Sequence, residues 1–299
     1  KLDDKFQLFI ELYDTKESKI VWTDRWQEKW DNLSNIKDNL SDGLLKALDT
    51  TSKVGKKVNI TNTEAYEFYL KGKHKYEKRK NTDDTKLARG LLQKAIDLDD
   101  KLIGAKIILG STYLDIGDYD KAMEIYSSTF KQAEELNDKH GIGHSLHNIG
   151  AVYYSKGDYG KALDCYERSF AISEGLGDKL GMGNSLHNIG IMYDNKGDYE
   201  KSLEYFKQSL AISEELGNKR GMGRSINNIG IVYNNKSDYG NALDYFEQSL
   251  AINEEICDKH GMGNNLNNLG SVYDDKGNYA KALDCYERAL VIRKEVGDK

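Results

Sequence analysis

From about residue 63 onward, apolar positions fall at helical spacing and are interrupted at regular intervals by short polar runs containing glycine. Over 181–195, Leu186, Ile189, Gly190 and Tyr193 share one helix face; over 199–216, Leu203, Phe206, Leu210 and Ile212 share another. The run "KGDY" at 196–199 breaks the pattern between them, and Gly217 ends it. The spacing predicts a helix, a turn and a second helix. Neither helix can bury its apolar stripe alone, so the missing contacts must come from neighbouring copies. The first sixty residues follow another period. Phe6, Leu8, Ile10 and Leu12 alternate over Phe6 to Tyr13, and a second run covers Lys19 to Thr23. This predicts a β-hairpin, and Asn32 to Leu48 then reads as an amphipathic helix.

The helical pattern repeats. A Leu/Ile-Gly pair places its glycine at Gly110, Gly150, Gly190, Gly230 and Gly270, forty residues apart each time, and Gly72 takes the same role 38 residues before Gly110. Whole strings recur with it, such as "HNIGIMYDNKGDYEKSLEYFKQSLAI" and "NNIGIVYNNKSDYGNALDYFEQSLAI". Six units are expected, at about 63–101, 102–140, 141–180, 181–220, 221–260 and 261–299.

The pattern Leu/Ile-Gly-x-x-Tyr, then Gly-Asp-Tyr-x-x-Ala, then an aromatic and Ala/Ser-Leu resembles the tetratricopeptide repeat (TPR). The forty-residue form is similar to kinesin light chain and the LGN/Pins polarity proteins. The resemblance implies an all-α, right-handed superhelical solenoid over 57–299 whose first helices line a concave groove. No proline closes the second helix here; Gly-Asp-Lys or Gly-Asn-Lys is expected to do so. The string "LFIELYDTKESKIVWTDRWQEKWDNLSNIKDNLSDGLLKAL", followed by "TEAYEFYLKGKHKYEKR", resembles the junction between a TolB-like α/β domain and a TPR array in bacterial cyclases, kinases and transcriptional regulators. Residues 1–56 are accordingly expected to be a partial α/β remnant. The chain starts at Lys1 without Met and is expected to be an excised piece; the resemblance to that junction implies the regulatory part of a larger bacterial signalling protein.

Composition narrows the function. The 299 residues are 31% charged and 38% hydrophobic and contain no proline. A mean hydropathy of −0.71 suits a thin solenoid better than one thick core. The net charge of −6, with bases interspersed among acids, argues against a nucleic-acid or anionic-membrane surface. No run of 18 apolar residues is present, so no membrane span is expected. Cys165, Cys257 and Cys285 form no C-x-x-C motif, which points to a reducing cytoplasm and away from disulfides or a zinc knuckle. Cys165 and Cys285 share one phase of the second helix and read as packing residues, while Trp22, Trp26 and Trp30 read as a seal over the hairpin.

Counting from the crossing glycine, positions expected to face the groove include His147, Asn148, Asn184, His187, Asn188, Arg224, Asn227, Asn228, Asn235, Asn264, Asn267 and Asn268. The expected site is an asparagine ladder. Carboxamides both donate and accept, so they can pair with a peptide backbone whatever its side chains; the competing reading is that asparagine is a tolerated surface residue. Asn148, Asn188, Asn228 and Asn268 match a ligand-contacting asparagine position in related repeats. A carboxylate clamp would need Lys or Arg where His147, His187, Asn227 and Asn267 stand, leaving Arg224, with help from Arg220, to hold one acidic group. Neutral imidazoles titrating near pH 6.5 would make such binding weakly pH-dependent. His144, His147 and His187 lack a fourth ligand at metal spacing, and the G-x-G pairs lack the G-K-[ST] of a phosphate loop. No nucleophile with an orienting base stands outside the repeat. The expected function is a non-catalytic scaffold without a cofactor that binds a protein or peptide. The alternatives are self-association through the last unit, around Leu283 and Leu290, and an intramolecular sensor of a cyclase or kinase.

Overall fold

In the computed structural model the described residues are 5–14, 19–29, 62–79 and 81–296. The expected helix over Asn32 to Leu48 and the side chains of Trp22, Trp26 and Trp30 lie outside them. The backbone forms two compact units, Lys1–Ala105 and Lys106–Lys299.

In the first unit, β1 (Lys5–Asp14) and β2 (Lys19–Lys29) pair antiparallel, with Leu8 opposite Trp26 and Ile10 opposite Asp24. The second strand runs six residues beyond Thr23, the end of the run expected from the sequence. Helices α1 (Thr63–Glu77) and α2 (Thr82–Leu98) follow, capped by Asn62 and Asn81, whose side chains accept from the backbone N–H groups of Ala65 and Asp84.

The remaining helices are α3 (Ile103–Leu114), α4 (Tyr119–Glu135), α5 (Lys139–Ser155), α6 (Tyr159–Leu176), α7 (Lys179–Asn195), α8 (Tyr199–Glu215), α9 (Lys219–Asn235), α10 (Tyr239–Glu255), α11 (Lys259–Asp275) and α12 (Tyr279–Val296). The described residues thus hold twelve helices in six consecutive pairs. In the second unit each helix from α4 onward packs on the next, and the first helices α5, α7, α9 and α11 also touch one another in succession. Second helices do not approach each other to this extent, so the first helices form the inner side of the stack.

Close crossing within a pair depends on glycine. A Cβ on Gly190 would sit 2.8 Å from the ring of Phe206, which is 1% exposed. Only a bare backbone lets that ring fill the crossing.

The first helices of units three to six start two residues before the expected positions, for a local reason. First helices start at Lys139, Lys179, Lys219 and Lys259 because Asp138, Asp178, Asn218 and Asp258 act as N-caps. Their side chains accept from the N–H groups of Gly141, Gly181, Gly221 and Gly261 at 3.0–3.1 Å. The acidic or amide residue of the Gly-Asp-Lys run therefore begins the next helix. What ends the preceding one is a left-handed residue: Gly177 and Gly217, with φ of 66° and 61°, or Asn137 and Cys257, with φ of 53° and 55°.

Candidate functional site: a polar seam along the first helices

The residue two positions before each crossing glycine reaches back to the preceding first helix. Asn188 Nδ2 lies 3.3 Å from His147 Nε2, Asn228 Nδ2 lies 3.1 Å from His187 Nε2, and Asn268 Nδ2 donates to Asn227 Oδ1 at 2.9 Å. Each pair is 41 residues apart. Asn148 has no such partner, because the residue 41 before it is Ile107; its Nδ2 instead donates to the carbonyl of His144 at 2.8 Å. At Asn188, Asn228 and Asn268 the Nδ2 donors are thus spent on holding neighbouring first helices together.

Since a carboxamide NH2 can only donate, the two imidazoles accept at Nε2 and carry their proton on Nδ1. His147 packs edge-on against Tyr166, ring centres 5.4 Å apart, and His187 lies 5.3 Å from the ring of Phe206. His187 is only 3% exposed, which corrects the expectation that it faces the groove: Asn228 and Phe206 enclose it. Burial, followed by the nearby His144 and Arg224, pushes the pKa of His147 down to about 4. Burial, then Arg224 and His147, holds His187 well below its ordinary value. Both rings are neutral through the range near pH 6.5 where titration had been expected. His187 Nδ1 is buried without a hydrogen-bond partner.

Around this seam lies a second row. Arg224 Nη2 donates to Asn184 Oδ1 at 2.8 Å, and burial disfavours its charge. Among the described residues no carboxylate forms an ion pair with it, whereas Arg220 is engaged by Asp258 at 3.1 Å and so does not assist. Asn235 Nδ2 donates to both carboxylate oxygens of Asp194, at 3.0 and 3.3 Å; burial raises that carboxyl's pKa and the bond from Asn235 opposes the rise. Arg293 Nη2 stands 3.5 Å from Asn264 Oδ1. Asn227 Nδ2 donates weakly to Asn228 Oδ1 at 3.4 Å. Asn267 occupies the phase of His147, His187 and Asn227.

Beneath the seam runs a buried serine ladder that the groove count did not reveal. Ser169, Ser209 and Ser249 donate to the carbonyls of Gly143, Gly183 and Gly223 at 2.7–2.9 Å. Ser185 and Ser225 in turn bond Ser169 and Ser209 at 3.3 and 3.2 Å. At the last junction Asn265 replaces the serine: its Oδ1 accepts from Asn253 Nδ2 at 2.7 Å and Ser249 at 3.3 Å, and its Nδ2 donates to Asn227 Oδ1 at 2.9 Å. The sequence signal was available, as serines forty residues apart and a joint change to Asn at 253 and 265. The G-x-G pairs belong here too. A Cβ on Gly181 would meet Ser173 Oγ and Asp178 Oδ2 at 2.5 Å, and Gly183 supplies the carbonyl for Ser209.

Among the described residues no group of three or more His, Cys, Asp and Glu is placed to hold a metal ion, and no helix is long and apolar enough to cross a membrane.

The sequence profile of the tetratricopeptide repeat matches residues 102–175, 146–215 and 221–295, more than half of the chain. The chain belongs to the tetratricopeptide repeat family. The match does not reach residues 1–56, and the expected TolB-like character of that segment finds no support in it. A search of the curated proteins finds no match. Among solved structures, the apo form of RapI shares the fold at 15% identity, over 87% of this chain and 92% of that one, with a TM-score of 0.64. BtubC (BKLC) from P. vanneervenii does so at 21% identity, over 80% and 94%, with a TM-score of 0.58. A Rap protein complexed with Competence and Sporulation Factor matches at 15% identity, over 86% and 80%, with a TM-score of 0.61. At these identities the likeness is one of fold. In TPR terms, the seam joins the first helices of units three to six.

Proposed function

We propose that this TPR chain is a non-catalytic scaffold that binds an extended segment of a protein or peptide along the first-helix face, as the regulatory part of a larger bacterial signalling protein in the cytoplasm. The supporting observation is the set of inter-unit bonds at Asn188, Asn228 and Asn268. With Nδ2 committed to the neighbouring helix, each carboxamide is held in one orientation, and the oxygens of Asn188 and Asn268 take no partner among the described residues. Ordered acceptors cost a ligand less entropy than mobile ones. First helices packed about 8–10 Å apart place Asn188 and Asn268, two units apart, about six residues of extended chain from each other, so one peptide N–H can meet each acceptor. Asn148, Asn184, Asn235, Asn264 and Asn267 flank this row, His147, His187 and Asn227 support it, and Arg224 offers a cation for one acidic side chain. A Rap protein of the same fold has been solved with Competence and Sporulation Factor, which suits a fold that takes up another molecule.

Peptides selected from a random library on the whole chain provide the test. Asn188→Ala with Asn268→Ala should weaken the selected peptides by about tenfold or more, a loss of about 1.4 kcal/mol, while helical circular dichroism is retained. Arg224→Gln should weaken only those carrying an acidic residue. Peptides indifferent to all three substitutions would contradict the reading.

Self-association is a second reading with its own observation: on α12, Leu283 is 59% and Leu290 52% exposed, whereas the corresponding Leu243 and Leu250 pack into a core cluster. Light scattering that stays monomeric across concentrations would remove it.

A further inference from the structure

A cavity of about 270 Å³ opens between α4 and α6, with α5 as its floor and Met123, Phe130, Leu146, Ile149, Tyr153 and Cys165 among its walls. Forty residues on, the same positions are Leu163, Phe170, Leu186, Ile189, Tyr193 and Tyr205. There Tyr205 joins Leu163 and Phe170 against the buried Ile189. It lies flat on Tyr193, ring centres 5.3 Å apart and planes 7° from parallel. One unit further, Tyr245 stacks on Tyr233 at 5.3 Å and 9°. Cys165 is therefore the position at which this unit lacks a ring that the next two units possess. The thiol, 5% exposed, is too small to fill the space a phenol occupies. An apolar cavity of about 150 Å³ already admits benzene, so the slot has room for one ring.

We propose that this slot is a docking site for a tyrosine side chain of a protein partner, its ring stacked on Tyr153 and its hydroxyl at the rim formed by Lys161 and Arg168. The chemistry of the occupant is read from the molecule itself, since tyrosine fills the equivalent space in the next two units. Stacking between ring faces adds to the gain from burying the ring. Lys161, 5.2 Å from the centre of the Tyr153 ring, need not be displaced: Lys201 sits 5.0 Å from Tyr193 in the unit where Tyr205 is stacked. The slot lies between second helices, away from the first-helix seam, and shares no residue with it.

The test is a nuclear magnetic resonance titration of the whole chain with N-acetyl-tyrosinamide, read at the Tyr153 ring and the Met123 methyl, with N-acetyl-leucinamide as the comparison probe. A saturable shift is expected with the tyrosine probe alone. Cys165→Tyr, which restores the ring of the next unit, should abolish it, and Cys165→Leu, a smaller filler, should weaken it should the tyrosine variant fail to fold. Cys285→Tyr, in the same phase three units away, should leave it intact. No saturable shift, an equal response to the leucine probe, or an undiminished response in a folded Cys165 variant would overturn the proposal without touching the groove reading.

Discussion

The junction between units four and five and the junction between units five and six share a backbone and differ in chemistry. At the first, His187 accepts from Asn228, Ser225 bonds Ser209, and Ser213 returns to the carbonyl of Ser209. At the second, Asn227 accepts from both Asn268 and Asn265, and Asn265 also receives Asn253 and Ser249. The first leaves His187 Nδ1 buried and unpaired, while no orphaned side-chain atom remains in the Asn227, Asn253 and Asn265 cluster. Repeat geometry therefore demands a hydrogen bond at a given place and leaves the side chain open, provided that the partners change as a set. Serine at 225 is too short to span to 187, so the seam and the serine ladder stay separate there. Asparagine at 265 reaches 227 and merges them.

The largest expected effect removes what both junctions share. Gly230 lies on α9, which belongs to both, and a Cβ there would stand 2.7 Å from the ring of Phe246. Gly230→Ala should cost about 2–3 kcal/mol, measured as a fall in the urea midpoint.

The next effect separates the junctions. Asn265→Ala strands the buried Asn253 amide and removes one donor from Asn227, a loss of about 2 kcal/mol. Ser225→Ala at the simpler junction should cost about 1 kcal/mol. Converting Asn253 and Asn265 together to serine should cost less than the sum of the single changes, because it rebuilds the serine form of the preceding junction.

Acid sharpens the contrast, since the imidazole junction can titrate and the carboxamide junction cannot. His187 has a folded pKa below its ordinary 6.5, so the unfolded chain takes up the proton first. Stability is full above that value and falls as pH drops through the window beneath it, by about 1.4 kcal/mol per pH unit for each such histidine. His187→Asn copies the residue at 227 and should flatten the decline between neutral pH and pH 5, leaving the part due to His147. An unchanged slope would place the acid sensitivity elsewhere.

The smallest effect concerns the ends of the second helices. Cys257 takes φ 55° where Gly177 and Gly217 take 66° and 61°. Cys257→Gly should stabilise by up to about 1 kcal/mol in thermal unfolding.

The period, the paired helices and the crossing glycines were all legible in the sequence, because apolar spacing and the Gly-Tyr phase report packing directly. The helix starts were misplaced by two residues since Asp178 and its counterparts look like the tail of a stop signal until their side chains are seen to cap the next helix. At the candidate site, counting from Gly190 named His187 and Asn188 as groove-facing positions. It did not show that Asn188 reaches back to His147 or that His187 is closed over, because a phase names a helix face and says nothing of the neighbour's side chains. The slot at Cys165 escaped for the same reason: a small residue reads as packing until the missing ring is compared with Tyr205.

The central claim is that the asparagine and histidine row ties units together. A double-mutant cycle on His187 and Asn228, each changed to Ala and followed by urea unfolding at neutral pH, measures it most directly. A coupling of about 1 kcal/mol is predicted; strictly additive losses would mean that the two side chains do not bond across the junction and would contradict the claim.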